Sequence, residues 1–167
     1  MTLNWLPPLV LLEEYNGSWD VYLDAVYGHF RTDFLCSRLC FRNVRVGLKR
    51  HPVVRDKEAT FWHFISEGKV EADRTINLRR CERIRWPRQM LEQETALQLP
   101  VWTQERKGKP RIVIALPDFS YIFVLDERTT ETGDHYYLPW TTIYVEYERR
   151  RGEYRQEWLR NQNLLLK

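Results

Sequence analysis

The spacing of apolar residues changes near residue 100, and this change constrains the fold more than any other feature of the chain. Before residue 100, apolar side chains recur mainly at three- and four-residue spacing, as on one face of a helix. After it, short apolar and β-branched runs are separated by polar turns such as Lys107–Pro110. The predicted strands are 101–102, 111–116, 121–125 and 136–145. Helices followed by a strand meander indicate an α+β domain rather than alternating βαβ units.

Outside the meander, most of the regular pattern is helical. Ser18 is a suitable N-cap for the first helix, Gly68 is placed to end the second, and Pro87 opens a later one. The predicted helices are 18–30, 58–66, two pieces within 73–98, and 146–166. Residues 41–48 alternate apolar and basic side chains, as a half-buried strand does, and 53–54 is a candidate for a second short strand.

The length of 167 residues is that of one compact domain. Within residues 1–167 the expected parts are an N-terminal extension (1–17), a mainly helical half (18–98), a β-meander (99–145) and a C-terminal helix (146–167). We expect the meander to be an antiparallel sheet of three or four strands within this α+β domain.

Composition and missing motifs exclude several classes of protein. Hydrophobic residues make up 43% of the chain, which is enough for a core, and no stretch approaches the about 18 apolar residues of a membrane span. The three cysteines, Cys36, Cys40 and Cys81, favour a reducing cytoplasm over a disulfide framework. Gly-rich phosphate loops, a Gly-x-Ser-x-Gly elbow and metal-ligand spacing of His and Cys are lacking, so we expect neither cofactor nor metal.

The net charge of +3 hides an uneven distribution of basic residues. Three basic clusters stand out: Arg74, Arg79, Arg80, Arg83, Arg85 and Arg88; then Arg106, Lys107, Lys109 and Arg111; then Arg149, Arg150 and Arg151. Arginine grips a phosphate with two hydrogen bonds and stacks on bases, and neighbouring tryptophans such as Trp86 add stacking surface. These features favour single-stranded RNA as a partner. The alternative is a solvated helix face with ion pairs, for example to Glu82, and it is the preferred interpretation of the third cluster.

His63 lies within an aromatic segment, Phe61–Gly68, and is a candidate for proton transfer because the pKa of histidine lies near neutrality. The alternative is a histidine satisfied within the core. Glu58 does not share a helical face cleanly with His63, so spacing does not identify a proton-transfer partner. On the last predicted strand, the hydroxyls of Thr141–Tyr144 could hold a phosphate, although Thr and Tyr are also ordinary strand residues.

Several of these segments together resemble a family of phage and bacterial proteins, the nucleases of the barnase, EndoU, colicin and RelE-like (BECR) class. The segments that carry the resemblance are Glu58–Gly68, Asp73–Arg74, Leu78–Trp86, Val101–Trp102, Lys109–Ile112 and Tyr121–Leu125. The resemblance covers most of residues 40–160, and its specific part is the histidine and the arginine-rich motifs. One departure is on the last strand, where Thr-Ala-Tyr is expected and the chain has Thr141–Thr142–Ile143–Tyr144.

The resemblance implies helices packed on a four-stranded antiparallel sheet and a metal-independent ribonuclease, often used as a toxin. In the implied reaction the 2′-hydroxyl of RNA attacks the adjacent phosphate. His63 would act as base or acid, and Arg80, Arg83 and Arg111 would stabilise the transition state. The residues expected to bind substrate are Arg74, Arg79, Trp86, Lys109, Thr142 and Tyr144. Single-stranded RNA and an antitoxin or immunity protein are the implied partners.

Two other functions stay open on the sequence. A non-catalytic RNA- or DNA-binding module would have the same basic face and would bind with strong salt dependence but without strand scission. A protein-interaction module would use exposed aromatics and arginines as hot spots for a partner protein.

Overall fold

The computed structural model describes residues 3–165, with side chains to residue 162, and has an α+β architecture. The α-helices are α1 (Trp19–Phe30), α2 (Ala59–Ile65), α3 (Leu78–Glu82), α4 (Trp86–Leu97) and α5 (Glu148–Leu165). The strands are β1 (Leu39–Phe41), β2 (Val44–Val46), β3 (Ser66–Glu67), β4 (Thr75–Ile76), β5 (Val101–Arg106), β6 (Lys109–Ala115), β7 (Tyr121–Thr129) and β8 (His135–Tyr144). Within this described part, none of the helices has the length and apolarity needed to cross a membrane.

The main sheet has six strands in the order β1-β2-β8-β7-β6-β5, so the expected four-stranded sheet is too small. Strands β5 to β8 form the antiparallel meander that the sequence predicts. Of the two additional strands, β2 lies within the segment expected to be one strand over 41–48, and β1 lies mostly before it. Arg42 and Asn43 have φ values of 50° and 66°, as a tight hairpin turn requires, and this turn joins β1 to β2 where the prediction had continuous strand. β2 then pairs in parallel with β8 through Val46 and Tyr137.

Other differences from the predicted elements lie at their ends. β5 and β7 extend to Arg106 and Thr129, beyond their predicted ends. Pairing with β6 and β8 keeps these polar residues in the strands, whereas the prediction ended each strand at its last apolar residue. The helix expected to stop at Gly68 ends at Ile65, and the chain continues into β3, which pairs with β4. The short strand expected at 53–54 is a single bridge between Val54 and Lys57.

Both faces of the sheet are covered by helices, as alternation along β7 shows. Tyr121, Phe123 and Leu125 belong to a large core with α1 to α4, whereas Ile122 and Val124 belong to a second core. Four aromatic residues complete the second core: Trp102, Phe119, Tyr154 and Trp158. Tyr154 and Trp158 belong to α5.

Further along the strands, the face that carries the second core becomes polar. Side chains two residues apart on a strand point to the same side, so Gln104 and Arg106 follow Trp102 on β5. In the same way Arg111 precedes Val113 on β6, and Asp126 follows Val124 on β7. We call this region, with Gln104, Arg106, Arg111, Asp126 and Arg128, the polar face.

A β-bulge lies next to the polar face. Val124 pairs with Thr141, but Leu125 pairs with Pro139, which leaves Trp140 as the extra residue of β8. Bulges re-aim side chains and are common near functional sites.

Candidate active site

The end of α2 is fixed on β8 by two threonine hydroxyls. Thr141 Oγ1 donates to the carbonyl of His63 at 3.1 Å, and Thr142 Oγ1 donates to that of Phe64 at 2.8 Å. The last carbonyls of a helix have no partner within it and need donors from elsewhere. Thr142, expected to bind substrate, is buried and satisfies one of these carbonyls.

Two of the predicted site arginines hold the residue that follows α2. Arg74 Nη2 and Arg80 Nη1 each donate to the carbonyl of Ser66 at 2.6 Å. Arg80 also bonds Glu67 Oε2 at 3.1 Å, and only 7% of Arg80 is exposed. Burial lowers the pKa of the Arg80 guanidinium, and the charge of Glu67 opposes that shift. The donors of Arg80 are therefore directed into the protein.

The remaining predicted residues of the α3 region are also joined to one another. Arg79 and Arg83 both pair with the buried carboxylate of Glu82, at 3.3 and 3.0 Å. The Arg83 guanidinium lies 4.3 Å from the ring centroid of Tyr144 and 5.0 Å from that of Trp86. The ion pairs with Glu82 correspond to the alternative that the sequence left open for the first basic cluster, in which its arginines pair with acids of the protein itself.

His63 is only 6% exposed, and its partner is a residue that spacing did not suggest. His63 Nε2 lies 2.8 Å from Glu71 Oε1, while the side chain of Glu71 is 61% exposed. Glu58 and Glu67, the nearer acids in sequence, bond Tyr27 and Arg80 instead. Proton exchange between His63 and solvent or substrate can therefore run through Glu71.

Trp140 joins His63 to the polar face. The Trp140 and His63 rings meet edge to face, with centroids 5.6 Å apart. The Arg111 guanidinium carbon lies 4.3 Å from the Trp140 ring centroid, within the range of a cation–π contact. Two residues predicted as catalytic, His63 and Arg111, thus both contact Trp140 at the bulge.

Asp126 holds two arginines beside this tryptophan. Arg111 Nε lies 2.8 Å from Asp126 Oδ1, and Arg128 Nη2 lies 2.9 Å from Asp126 Oδ2. Asp126 is only 2% exposed, whereas the side chain of Arg128 is more than one-third exposed. Two cations around one carboxylate leave a net positive charge that faces outward at Arg128.

We call His63, Glu71, Arg111, Asp126, Arg128 and Trp140 the Trp140 cluster. A cavity of about 20 Å³ is lined by three of its members, His63, Arg128 and Trp140, together with Lys49, Thr60, Leu138 and Pro139. On this measure a water molecule needs about 10–15 Å³, so the cavity is of the size of one water. A larger substrate would meet the exposed groups of the cluster, Glu71 and Arg128.

The predicted site residues therefore fall into separate places. His63 and Arg111 both contact Trp140 but line different cavities. Lys109 is exposed at the end of the β5–β6 hairpin opposite Arg106. The others lie around the end of α2 and around α3: Arg74, Arg79, Arg80, Arg83, Trp86, Thr142 and Tyr144.

Sequence reasoning missed four members of the cluster. Asp126 and Arg128 lie beyond the predicted end of β7, although their two-residue spacing is a signal for one strand face. The position of Trp140 depends on the β-bulge in β8, which the sequence pattern does not reveal. Glu71 contacts His63 across a turn, and no regular residue spacing predicts that contact.

Among residues 3–165, no group of three or more His, Cys, Asp and Glu side chains is arranged to hold a metal ion. Comparison of the chain with protein-family models, with curated proteins and with solved structures gives no match in any of the three.

Proposed function

We propose that the protein is an endoribonuclease that cleaves single-stranded RNA by attack of a 2′-hydroxyl on the adjacent phosphate. The observation that carries the proposal is the His63–Glu71 pair, hydrogen-bonded at 2.8 Å and joined through Trp140 to the arginines of the polar face. This proposal agrees with the resemblance to the BECR nucleases. A toxin role and an antitoxin partner stay predictions of that resemblance.

The reaction needs one proton removed and one supplied. The 2′-oxygen bonds to phosphorus as the bond from phosphorus to the 5′-oxygen breaks, giving a 2′,3′-cyclic phosphate and a free 5′-hydroxyl. Glu71, exposed to solvent, accepts the 2′-hydroxyl proton, and His63 orients Glu71 and shares that proton. The pair then returns this proton to the leaving 5′-oxygen, so Glu71 and His63 end in the protonation states in which they began.

Arg128 and Arg111 supply positive charge for the phosphorane-like transition state. Both are fixed by Asp126, so little reorganisation is needed when negative charge develops on the phosphate oxygens. A guanidinium also matches phosphate geometry with paired N–H donors. Arginines can thus provide the charge that a metal ion provides in other nucleases.

The test is cleavage of a labelled single-stranded RNA in EDTA. Glu71→Gln is the main variant, because an exposed side chain can change without unfolding the protein. We expect the rate to fall about 100-fold or more, the range for loss of a general acid–base group. His63→Gln should fall similarly, while Glu13→Gln, which changes an exposed acid of the N-terminal segment, should cleave like wild type.

The products give a further check, because the mechanism requires a 2′,3′-cyclic phosphate and cannot act on 2′-O-methyl RNA. Equal cleavage by wild type and Glu71→Gln would remove the pair from the mechanism. No cleavage of any RNA by wild type would overturn the proposal.

One observation favours a second candidate, a nucleic-acid-binding module without catalysis. His63 is almost fully buried, which also suits a histidine with a structural role. In that case the polar face would bind RNA with an affinity that falls as the salt concentration rises, but it would leave the RNA intact.

A further inference from the structure

The structure brings together two basic clusters that lie about 40 residues apart in sequence. The β5–β6 hairpin contributes Arg106 and Arg111, and the first turn of α5 contributes Arg150. All three line one crevice, together with Gln104, Thr141 and Tyr154. Five apolar or aromatic side chains complete its lining: Val113, Ile122, Val124, Trp140 and Ile143. We call it the α5 crevice.

We propose that the α5 crevice binds a second, non-scissile phosphate of the RNA. This inference rests on the proposed function, since it assigns a further subsite to the same substrate. Arg111 belongs both to the crevice and to the Trp140 cluster, so a strand that crosses Trp140 can place neighbouring phosphates on its two sides.

The size of the crevice suits one phosphate group rather than a base. Its volume is about 40 Å³, twice that of the cavity beside His63. At about 10–15 Å³ for a water molecule, it has room for about three waters. Three guanidinium groups around such a space provide paired donors for phosphate oxygens.

Two of the three crevice arginines are held in place by carboxylates, Arg111 by Asp126 and Arg150 by Glu153. Gln104 donates to Glu157 at 2.8 Å, which fixes the hairpin to α5. Arg150 pairs with Glu153 and packs over Tyr154, with its guanidinium carbon 4.7 Å from the ring centroid. An exposed pair of this kind contributes little energy and can exchange for a phosphate. No carboxylate among residues 3–165 forms an ion pair with Arg106, which is exposed.

Binding can be measured apart from cleavage with a labelled 2′-O-methyl RNA hexanucleotide, which lacks the attacking hydroxyl. Arg106→Gln and Arg150→Gln should each weaken binding about 3- to 10-fold. Each should also reduce the slope of log affinity against log salt by about one. The matched control is Arg160→Gln, which removes an exposed arginine further along α5 and should leave the slope as in wild type.

Cleavage of two RNA lengths locates the subsite. A dinucleotide has only the scissile phosphate, so Arg106→Gln and Arg150→Gln should cleave it like wild type. The same variants should show a lower kcat/KM on a hexanucleotide, mainly through a higher KM.

The outcomes separate the two proposals. If Arg106→Gln and Arg150→Gln keep the wild-type salt slope, the crevice proposal is overturned even where RNA is cleaved. If wild type binds the hexanucleotide but cleaves no RNA, the endoribonuclease proposal fails, and the salt slopes still decide whether the crevice holds a phosphate. If wild type does not bind the hexanucleotide at all, the crevice proposal is overturned, and cleavage of unmodified RNA alone decides the endoribonuclease proposal.

Discussion

Two groups of arginines in this protein have opposite surroundings. The α3 group, which is Arg74, Arg79, Arg80, Arg83 and Arg88, donates mainly to carbonyls, carboxylates and hydroxyls of the protein itself. The polar-face group, which is Arg106, Arg111, Arg128 and Arg150, lies on or beside a sheet face that α5 leaves uncovered. The α3 group is the denser in sequence. The polar-face group shares fewer carboxylates than it has arginines, since Arg111 and Arg128 both pair with Asp126 and Arg150 pairs with Glu153.

The difference has a physical cause in the short helices α2 and α3. A helix of five or seven residues leaves most of its terminal carbonyls without a partner in the helix. Arginine has five donors and can satisfy several acceptors at once, as Arg80 does at Ser66 and Glu67. A run of arginines beside short helices can therefore be a structural clamp rather than a phosphate site.

The largest expected effect on stability is that of Arg80→Met. The change removes two charge-assisted hydrogen bonds, one to the Ser66 carbonyl, which keeps its donor from Arg74, and one to Glu67. Loss of two hydrogen bonds made by a charged group costs about 3 kcal/mol. Chemical denaturation should show this loss in the free energy of unfolding. Arg128→Met, on the polar face, should lose less than about 1 kcal/mol. Equal losses would contradict the division into two groups.

Asp126→Asn sharpens the comparison from the polar face. The amide keeps the shape of the side chain but not the charge that Arg111 and Arg128 share, and we expect a loss of about 2 kcal/mol. Because both arginines are then less neutralised, affinity for 2′-O-methyl RNA should rise at low salt. Weaker RNA binding by a folded Asp126→Asn would show that these arginines do not contact the phosphates.

A smaller effect is expected for Thr142→Val at the end of α2. Valine keeps the shape but removes the donor to the Phe64 carbonyl, a buried hydrogen bond of 2.8 Å. The cost should be about 1–2 kcal/mol in thermal or chemical unfolding. Thr103→Val, at an exposed position of β5, is the matched control and should change stability by less than about 0.5 kcal/mol. If the stability of Thr142→Val equals that of wild type, the hydroxyl does not hold α2 on β8.

The smallest perturbation is thiol labelling of the unmodified protein. Cys81 is buried within α3, and burial raises the pKa of its thiol to about 12, while Cys36 and Cys40 are exposed. A maleimide at neutral pH should therefore label two thiols in the native state and the third only after unfolding. Rapid labelling of all three would show that the α3 region is open and that its arginines are accessible.

Much of the fold could be predicted from the sequence because the spacing of apolar residues reflects which side chains of a helix or strand are buried. The helices around Trp19–Phe30 and Trp86–Leu97 and the β5–β8 meander are confirmed near their predicted positions. The six-stranded sheet was not predictable from pattern, because the turn at Arg42–Asn43 has positive φ without a glycine to mark it.

The candidate site was less accessible to sequence reasoning because it depends on register. Arg111 and Asp126 face each other only in the β6–β7 pairing, and Trp140 reaches them through a bulge in β8. The His63–Glu71 contact crosses a turn that no spacing rule anticipates. Counts of arginine, by contrast, favoured the first basic cluster, in which five of the six arginines have donors engaged within the protein.

The most direct test of this account compares one arginine from each group in RNA cleavage. Arg128→Gln and Arg88→Gln each remove one positive charge, and both would be compared with wild type on a labelled single-stranded RNA in EDTA, after thermal unfolding shows them folded. We predict that kcat/KM falls about 100-fold for Arg128→Gln, as for loss of a donor to the transition state. Arg88→Gln should stay within about 2-fold of wild type, because Arg88 bonds Ser37 and Asp33. A larger loss in Arg88→Gln than in Arg128→Gln would contradict the account.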